Sequence, residues 1–266
     1  MTIFKKTLNV LGAVIGIPLL LYSLLYIANF IILYFFITVE KISNISYLNE
    51  VLINTAYIGT LIGEGLTVFI LFIIFIFIPK NLIKRCNFKE INSKKLPIII
   101  CLTIGLSLFS MLFVILGQNF FPSYQTVENT MNAAKNSYIE MLVVLLIGPI
   151  FEEIIFRGAI FSILRKNITL VPAIIIQAIL FGLLHGNPLQ GIYAFFLGIV
   201  LCLIYLYTGS ILGNMLCHII FNILGSVILP IVFAIFPNIL IITILGIIFL
   251  FLAYYFYKKQ HLYKIQ

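Results

Sequence analysis

The sequence predicts an all-α fold, a polytopic membrane bundle of about eight transmembrane helices that makes one membrane-embedded domain of residues 1–266. Three observations carry this. The chain is 63% hydrophobic and only 9% charged, where a soluble domain carries about 25% charged residues. Its apolar residues come in runs near the roughly 20 that a hydrocarbon core requires. Its basic residues gather in alternate links between those runs, as they do in multi-pass chains.

The first run, Leu8–Thr38, follows Lys5 and Lys6. It far exceeds the apolar core of about 7–15 residues in a signal peptide, so it is expected to be a retained span. The others are Val51–Pro79, Leu96–Phe121, Tyr138–Leu164, Leu170–Leu184, Leu189–Tyr207, Ile211–Leu229 and Ile231–Tyr257. The first two are long enough to tilt or to extend beyond the bilayer, and the fifth is short. Lys80, Lys84, Arg85, Lys89, Lys94 and Lys95 follow the second run, Arg165 and Lys166 the fourth, and Lys258, Lys259 and Lys264 the last. The opposite links hold only Lys41 and Lys135. An even number of spans therefore places every basic cluster on one side, and both termini are expected to be cytoplasmic in a cell (plasma) membrane. The links Gly186–Pro188 and Thr208–Ser210 carry no charge and are expected to sink into the protein.

The net charge of +8 belongs to these links, so membrane lipid and not nucleic acid is the expected surroundings. Cys86, Cys101, Cys202 and Cys217 show no paired or metal-type spacing and are expected to pack in the interior. The oligomeric state is not encoded in any of these features.

Within residues 138–229, the expected core of the site, Gly148-Pro149-Ile150-Phe151-Glu152-Glu153-Ile154-Ile155-Phe156-Arg157-Gly158 places three ionisable groups in an apolar run. Each charge near a span's centre costs roughly 3 kcal/mol on insertion scales, which makes such a residue a functional-site hypothesis. Residues four apart share a helix face, so Glu153 pairs with Arg157. Glu152 points about 100° away and is free to face a cavity. Gly148-Pro149 is expected to bend or start a helix. His185 ends the fifth run, with Phe181 packed under it, and His218 and Asn222 share one face of the seventh. By rise per residue, about 1.5 Å, Glu152 and His185 fall at similar depth. His218 joins them only if the turn before it is submerged.

Other polar residues have simpler expectations. Glu64, between Gly63 and Gly65, reads as a protonated carboxyl bonded to a neighbouring helix or as a cavity wall. Glu140 is expected to be solvated near the interface, His261 solvated in the tail, and Tyr193, Tyr205 and Tyr207 lipid-facing or interfacial.

Together, Glu152-Glu153-x-x-x-Arg157, Phe181-x-x-x-His185 and His218-x-x-x-Asn222 resemble the three motifs of the CAAX protease and bacteriocin-processing family (CPBP, or Abi), to which the type II CAAX prenyl endopeptidase belongs. The resemblance covers Glu152 to Asn222; the flanking spans match in hydropathy alone. It implies an eight-span intramembrane endopeptidase acting on a peptide or membrane-protein substrate. By motif position, Glu152 is the general base on a water, His185 helps to hold that water, His218 and Asn222 stabilise the oxyanion, and Glu153 and Arg157 support the site. No cofactor is implied by this mechanism. A zinc ion on Glu152, Glu153, His185 and His218 is the alternative, since carboxylate and imidazole are suitable ligands; Arg157 beside Glu153 opposes a nearby cation. An aspartyl dyad is excluded because the chain has no Asp, and neither His-Glu-x-x-His nor Gly-x-Ser-x-Gly is present. A non-catalytic bacteriocin self-immunity protein and a proton-relay transporter are the competing functions.

Overall fold

The computed structural model describes residues 3–78 and 80–262, with side chains as far as Gln260, so Pro79, Lys264 and the side chain of His261 lie outside the described residues. Among the described residues every regular element is helical. In chain order, α1 spans Ile3–Thr38, α2 Ile45–Asn54, α3 Ala56–Ile76 and α4 Leu82–Cys86. Next come α5, Leu96–Gly117, α6, Tyr124–Ala134, and α7, the continuous helical run 138–167. The last four are α8, Leu170–Leu184, α9, Pro188–Thr208, α10, Ile211–Ile235, and α11, Ile239–Leu262. Six of them (α1, α3, α5, α9, α10 and α11) are long and apolar enough to cross a membrane. The remaining two expected spans are present as helices of another kind. α8 has only 15 residues, and α7 is interrupted by Glu152, Glu153 and Arg157. The chain is a multi-pass membrane protein built as a helical bundle.

α7 is the axis of that bundle. Ile155 to Phe161 are all buried, and a helix apolar and buried all round belongs in the centre. α1, α3, α8, α9 and α10 pack around it in one continuous core that includes Leu21, Leu71, Phe156, Phe181, Leu201 and Met215. α5 and α11 form a second, smaller cluster with α10 through Leu108, Leu112, Leu229 and Ile242. All four cysteines are buried and free.

Three prolines in the apolar runs follow one rule. Each comes directly after a residue whose N–H closes a π-turn, reaching the carbonyl five residues back: Ile17 to Gly12, Gly148 to Val143 and Leu229 to Leu224. Pro18, Pro149 and Pro230 come next. A proline has no N–H and its ring crowds the preceding turn, and a widened turn absorbs both defects without ending the helix. The expected boundary at Leu229/Ile231 is therefore corrected. Pro230 is passed, α10 runs on to Ile235, and the break comes at Phe236-Pro237-Asn238.

A second correction concerns the run Val51–Pro79, which breaks at Thr55 into α2 and α3. A helix start leaves N–H groups without intrahelical partners. Here Glu140 of α7 supplies them, its two oxygens accepting from Tyr57 N at 3.1 Å and Ile58 N at 3.0 Å. Glu140 is thus 1% exposed and not solvated. A carboxylate at a helix N-terminus also meets the favourable end of its dipole.

The basic links meet at one end of the bundle. Ser210 is fully buried because the basic link covers it: its hydroxyl donates to Lys89 O at 2.5 Å, and Lys95 Nζ donates to Tyr207 O at 2.6 Å. At this uncharged turn Ser210 is buried as expected, while Gly209 is exposed. At the other uncharged link Asn187 is buried but Gly186 is exposed. Tyr205 is corrected from lipid-facing to core. It is 3% exposed, and its hydroxyl donates to Arg85 O at 2.5 Å. Tyr193 is half-buried and hydrogen-bonded to Tyr124 and Gln190.

Candidate active site

The site begins with the defect in α7. Gly148 N–H has taken Val143 O, and in the same register the next donor would be the N–H that Pro149 lacks, leaving Val144 O free. Asn222 Nδ2 of α10 donates to that carbonyl at 2.9 Å. The proline thus creates a docking point for α10 on α7 in place of the expected bend. α7 is α-helical over Gly148–Glu153 and π-helical again over Ile154–Phe161. π-turns are frequent at functional sites.

Between the two π segments, Glu152 and Glu153 meet side chains from two other helices. Arg157 Nη1 donates to Glu153 Oε1 at 2.9 Å, with both side chains fully buried, so the expected ion pair is present. The guanidinium also donates through Nη2 to Gly198 O of α9 at 3.2 Å and lies 4.6 Å from the centre of the Phe181 ring. These contacts partner Nη1 and Nη2 of the buried charge, while Arg157 Nε and Glu153 Oε2 are buried without a hydrogen-bond partner.

His218 of α10 stands between the two glutamates. Its Nδ1 is 3.1 Å from Glu153 Oε1. A carboxylate already accepting from arginine only accepts, so Nδ1 carries the hydrogen and donates it. The opposite nitrogen, Nε2, is 3.6 Å from Glu152 Oε2, beyond a good hydrogen bond and within reach of one bridging water. Glu152 Oε2 has no hydrogen-bond partner in the protein. Glu152 therefore does face away from Arg157, as the 100° offset requires, and meets an imidazole across a gap.

His185, half-buried at the end of α8, points Nδ1 at Phe181 O at 3.0 Å. A carbonyl only accepts, so Nδ1 is the donor there too. His185 interacts electrostatically with Glu152 and His218, but its direct contact with them is through Phe181. That ring is more than packing under His185. It meets His185 edge-on at 5.2 Å, His218 at 5.7 Å and Phe156 at 5.1 Å, centre to centre, besides the Arg157 stack. α8 and α9 approach closely enough to hold this arrangement because Gly182 and Gly191 face one another: a Cβ on Gly182 would stand 2.6 Å from Gly191 O.

The structure thus joins Glu152, Glu153, Arg157 and His218 directly. It docks Asn222 on the α7 backbone one turn from His218 and connects His185 through Phe181. Among the described residues no three His, Cys, Asp or Glu side chains form a group that could hold a metal ion. Glu152, Glu153, His185 and His218 are the residues that would hold a zinc ion in the alternative mechanism.

Residues 134–224 match the family model of type II CAAX prenyl endopeptidases described as Rce1-like. The site-bearing segment, about a third of the chain, is similar to the Rce1-like domain. Every residue of the three motifs lies inside it, as the resemblance in the sequence implies, while α1 to α5 and α11 lie outside. No curated protein and no solved structure matches the chain.

Three polar residues at or near the site went unnoticed in the sequence or had no assigned role. Asn214, fully buried, donates to Leu201 O at 2.6 Å. Its spacing was readable, since Asn214, His218 and Asn222 repeat every four residues along one face. Gln177, also fully buried, accepts from Cys202 Sγ at 2.5 Å. The third is Glu64 of α3, outside the Rce1-like segment.

Proposed function

We propose that the chain is an intramembrane endopeptidase that hydrolyses a peptide bond with a water activated by Glu152. The observation that carries this is the unpartnered oxygen of Glu152, set 3.6 Å from an imidazole whose other nitrogen is fastened to the Glu153–Arg157 pair. A carboxylate held apart from its neighbouring cation is available as a base, and a ring anchored on one side presents its other nitrogen in a defined direction.

In this mechanism the water lies between Glu152 and His185. Glu152 takes its proton as the oxygen attacks the scissile carbonyl carbon, and the carbonyl electron pair moves onto oxygen. In this role His218 carries hydrogen on both ring nitrogens, Nδ1–H on Glu153 and Nε2–H on the oxyanion, and an N–H of Asn222 donates beside it. Asn222 has two amide N–H groups; one is on Val144, and the other is the proposed donor. Glu152 then returns the proton to the departing amine as the C–N bond breaks. Glu153 and Arg157 hold His218 in place. The reaction comes from the family of the matched model; the substrate is a peptide or a membrane protein, entering from lipid. The clustering of the basic links at one end of the bundle supports a cell-membrane location with both termini cytoplasmic.

The test is cleavage of a quenched CAAX-type peptide, prenylated and unprenylated, by purified protein in lipid nanodiscs. Glu152→Gln and His185→Ala should each lower kcat at least about 100-fold, and His218→Ala about as much, as for loss of one oxyanion donor. Wild-type rates in Glu152→Gln would sink the mechanism. Activity should survive a strong zinc chelator; loss with recovery on added zinc would move the chemistry to the metal.

A further inference from the structure

Glu64 is 1% exposed and its Oε2 has no hydrogen-bond partner in the protein. Buried polar side chains are nearly always paired, and a carboxyl in the hydrocarbon layer is costly to keep. Its setting shows that this position is built. Gly63 beside it packs on α1, where a Cβ would stand 2.8 Å from Leu25 Cα. On its other side Gly65 packs on α7, with a Cβ position 3.4 Å from the Phe151 ring. Glu140 ties the start of α3 to the same helix. α3 is therefore held against α7 above and beside Glu64.

The carboxyl points at the catalytic face. Glu64 Oε2 lies 3.9 Å from where a Cβ on Gly148 would stand, so the glycine leaves it room. Gly148 and Glu152 are four apart in the α-helical segment of α7 and share a face. Glu64 and Glu152 interact electrostatically, and each keeps a buried, unpartnered Oε2.

We infer that Glu64 is a positioning residue of the site, its carboxyl holding the hydrolytic water against Glu152 from the α3 side. This rests on the role proposed above for Glu152 and adds to the site a residue from a helix that the family motifs do not reach. The water is hydrogen-bonded by Glu64 on one side and gives its proton to Glu152 on the other.

The experiment compares Glu64→Met, Glu64→Gln and Glu152→Gln in nanodiscs with the same peptide. Glu64→Met should lower kcat roughly 100-fold, the cost of a misplaced reactant, with KM within a few-fold and Tm equal to or above wild type, because an unpartnered polar group is lost. Glu64→Gln retains a hydrogen-bonding amide and should recover kcat to within about tenfold of wild type. Wild-type kcat in Glu64→Met overturns the inference. So does a fall in Tm that accompanies the loss of activity, which assigns Glu64 to folding, and so does a Gln variant as inactive as Met. If Glu152→Gln is inactive while Glu64→Met is not, only the role of Glu64 falls; if Glu152→Gln is active, the mechanism itself fails first.

Discussion

Replacing Arg157 by Met removes three contacts at once: the 2.9 Å bond to Glu153, the 3.2 Å bond to Gly198 O and the 4.6 Å stack on Phe181. What remains is worse than an ordinary cavity. Glu153 is left as a fully buried carboxylate whose one remaining partner is His218 Nδ1. Breaking a buried pair from one side costs about 3–5 kcal/mol. Adding Glu153→Gln removes the stranded charge and leaves a neutral amide, so the double variant should be about 2 kcal/mol more stable than Arg157→Met alone, as expected when the penalty is mainly an uncompensated charge. Reversible unfolding in mixed micelles measures this by far-UV circular dichroism; the chain has no tryptophan to report by fluorescence. Both variants should be strongly impaired in cleavage, because the side chain that orients His218 has lost its own partner Arg157. A cost below about 1 kcal/mol for Arg157→Met, or strict additivity in the double variant, would refute the claim that a buried charge pair organises the site.

Two further tests address helix contacts. Asn222→Leu should cost about 1–2 kcal/mol by stranding Val144 O, and Pro149→Ala in that background should recover about half of it by supplying a backbone N–H, without restoring cleavage; an unchanged midpoint would contradict the proposed origin of the free carbonyl. Gly182→Ala should cost about 1–3 kcal/mol by overpacking and should lower kcat, because its Cβ, 2.6 Å from Gly191 O of α9, would push away α8, which positions His185. Gly225→Ala, with open space around its Cβ position, is the control, and an equal cost for both would reject the close-approach explanation.

Much of the molecule follows from one-dimensional chemistry. Apolar run length set the order of the long helices, six of which are long and apolar enough to cross a membrane, and the basic links set which ends lie together. The four-residue spacing of Glu153 with Arg157 required an ion pair whatever the surroundings, because both sit on one rigid helix. The 100° offset turned Glu152 away from that pair for the same reason.

Contacts between helices were not available in this way. That His218 bridges Glu152 and Glu153, that Glu140 caps α3, that Tyr205 belongs to the core and that Glu64 faces Gly148 all depend on which helix lies beside which, at what depth. A hydropathy pattern is blind to rotation among several equally apolar faces, so it cannot tell a buried tyrosine from a lipid-facing one. Nor does a proline reveal by itself whether it ends a helix or is taken up in a π-turn, since the outcome turns on whether another helix supplies a donor for the freed carbonyl. Asn222 supplies it at Pro149. The sequence by itself determined the helices and the chemically able side chains; tertiary packing alone decided which of them meet, because a desolvated polar group is stable only where a neighbouring helix completes its hydrogen bonds.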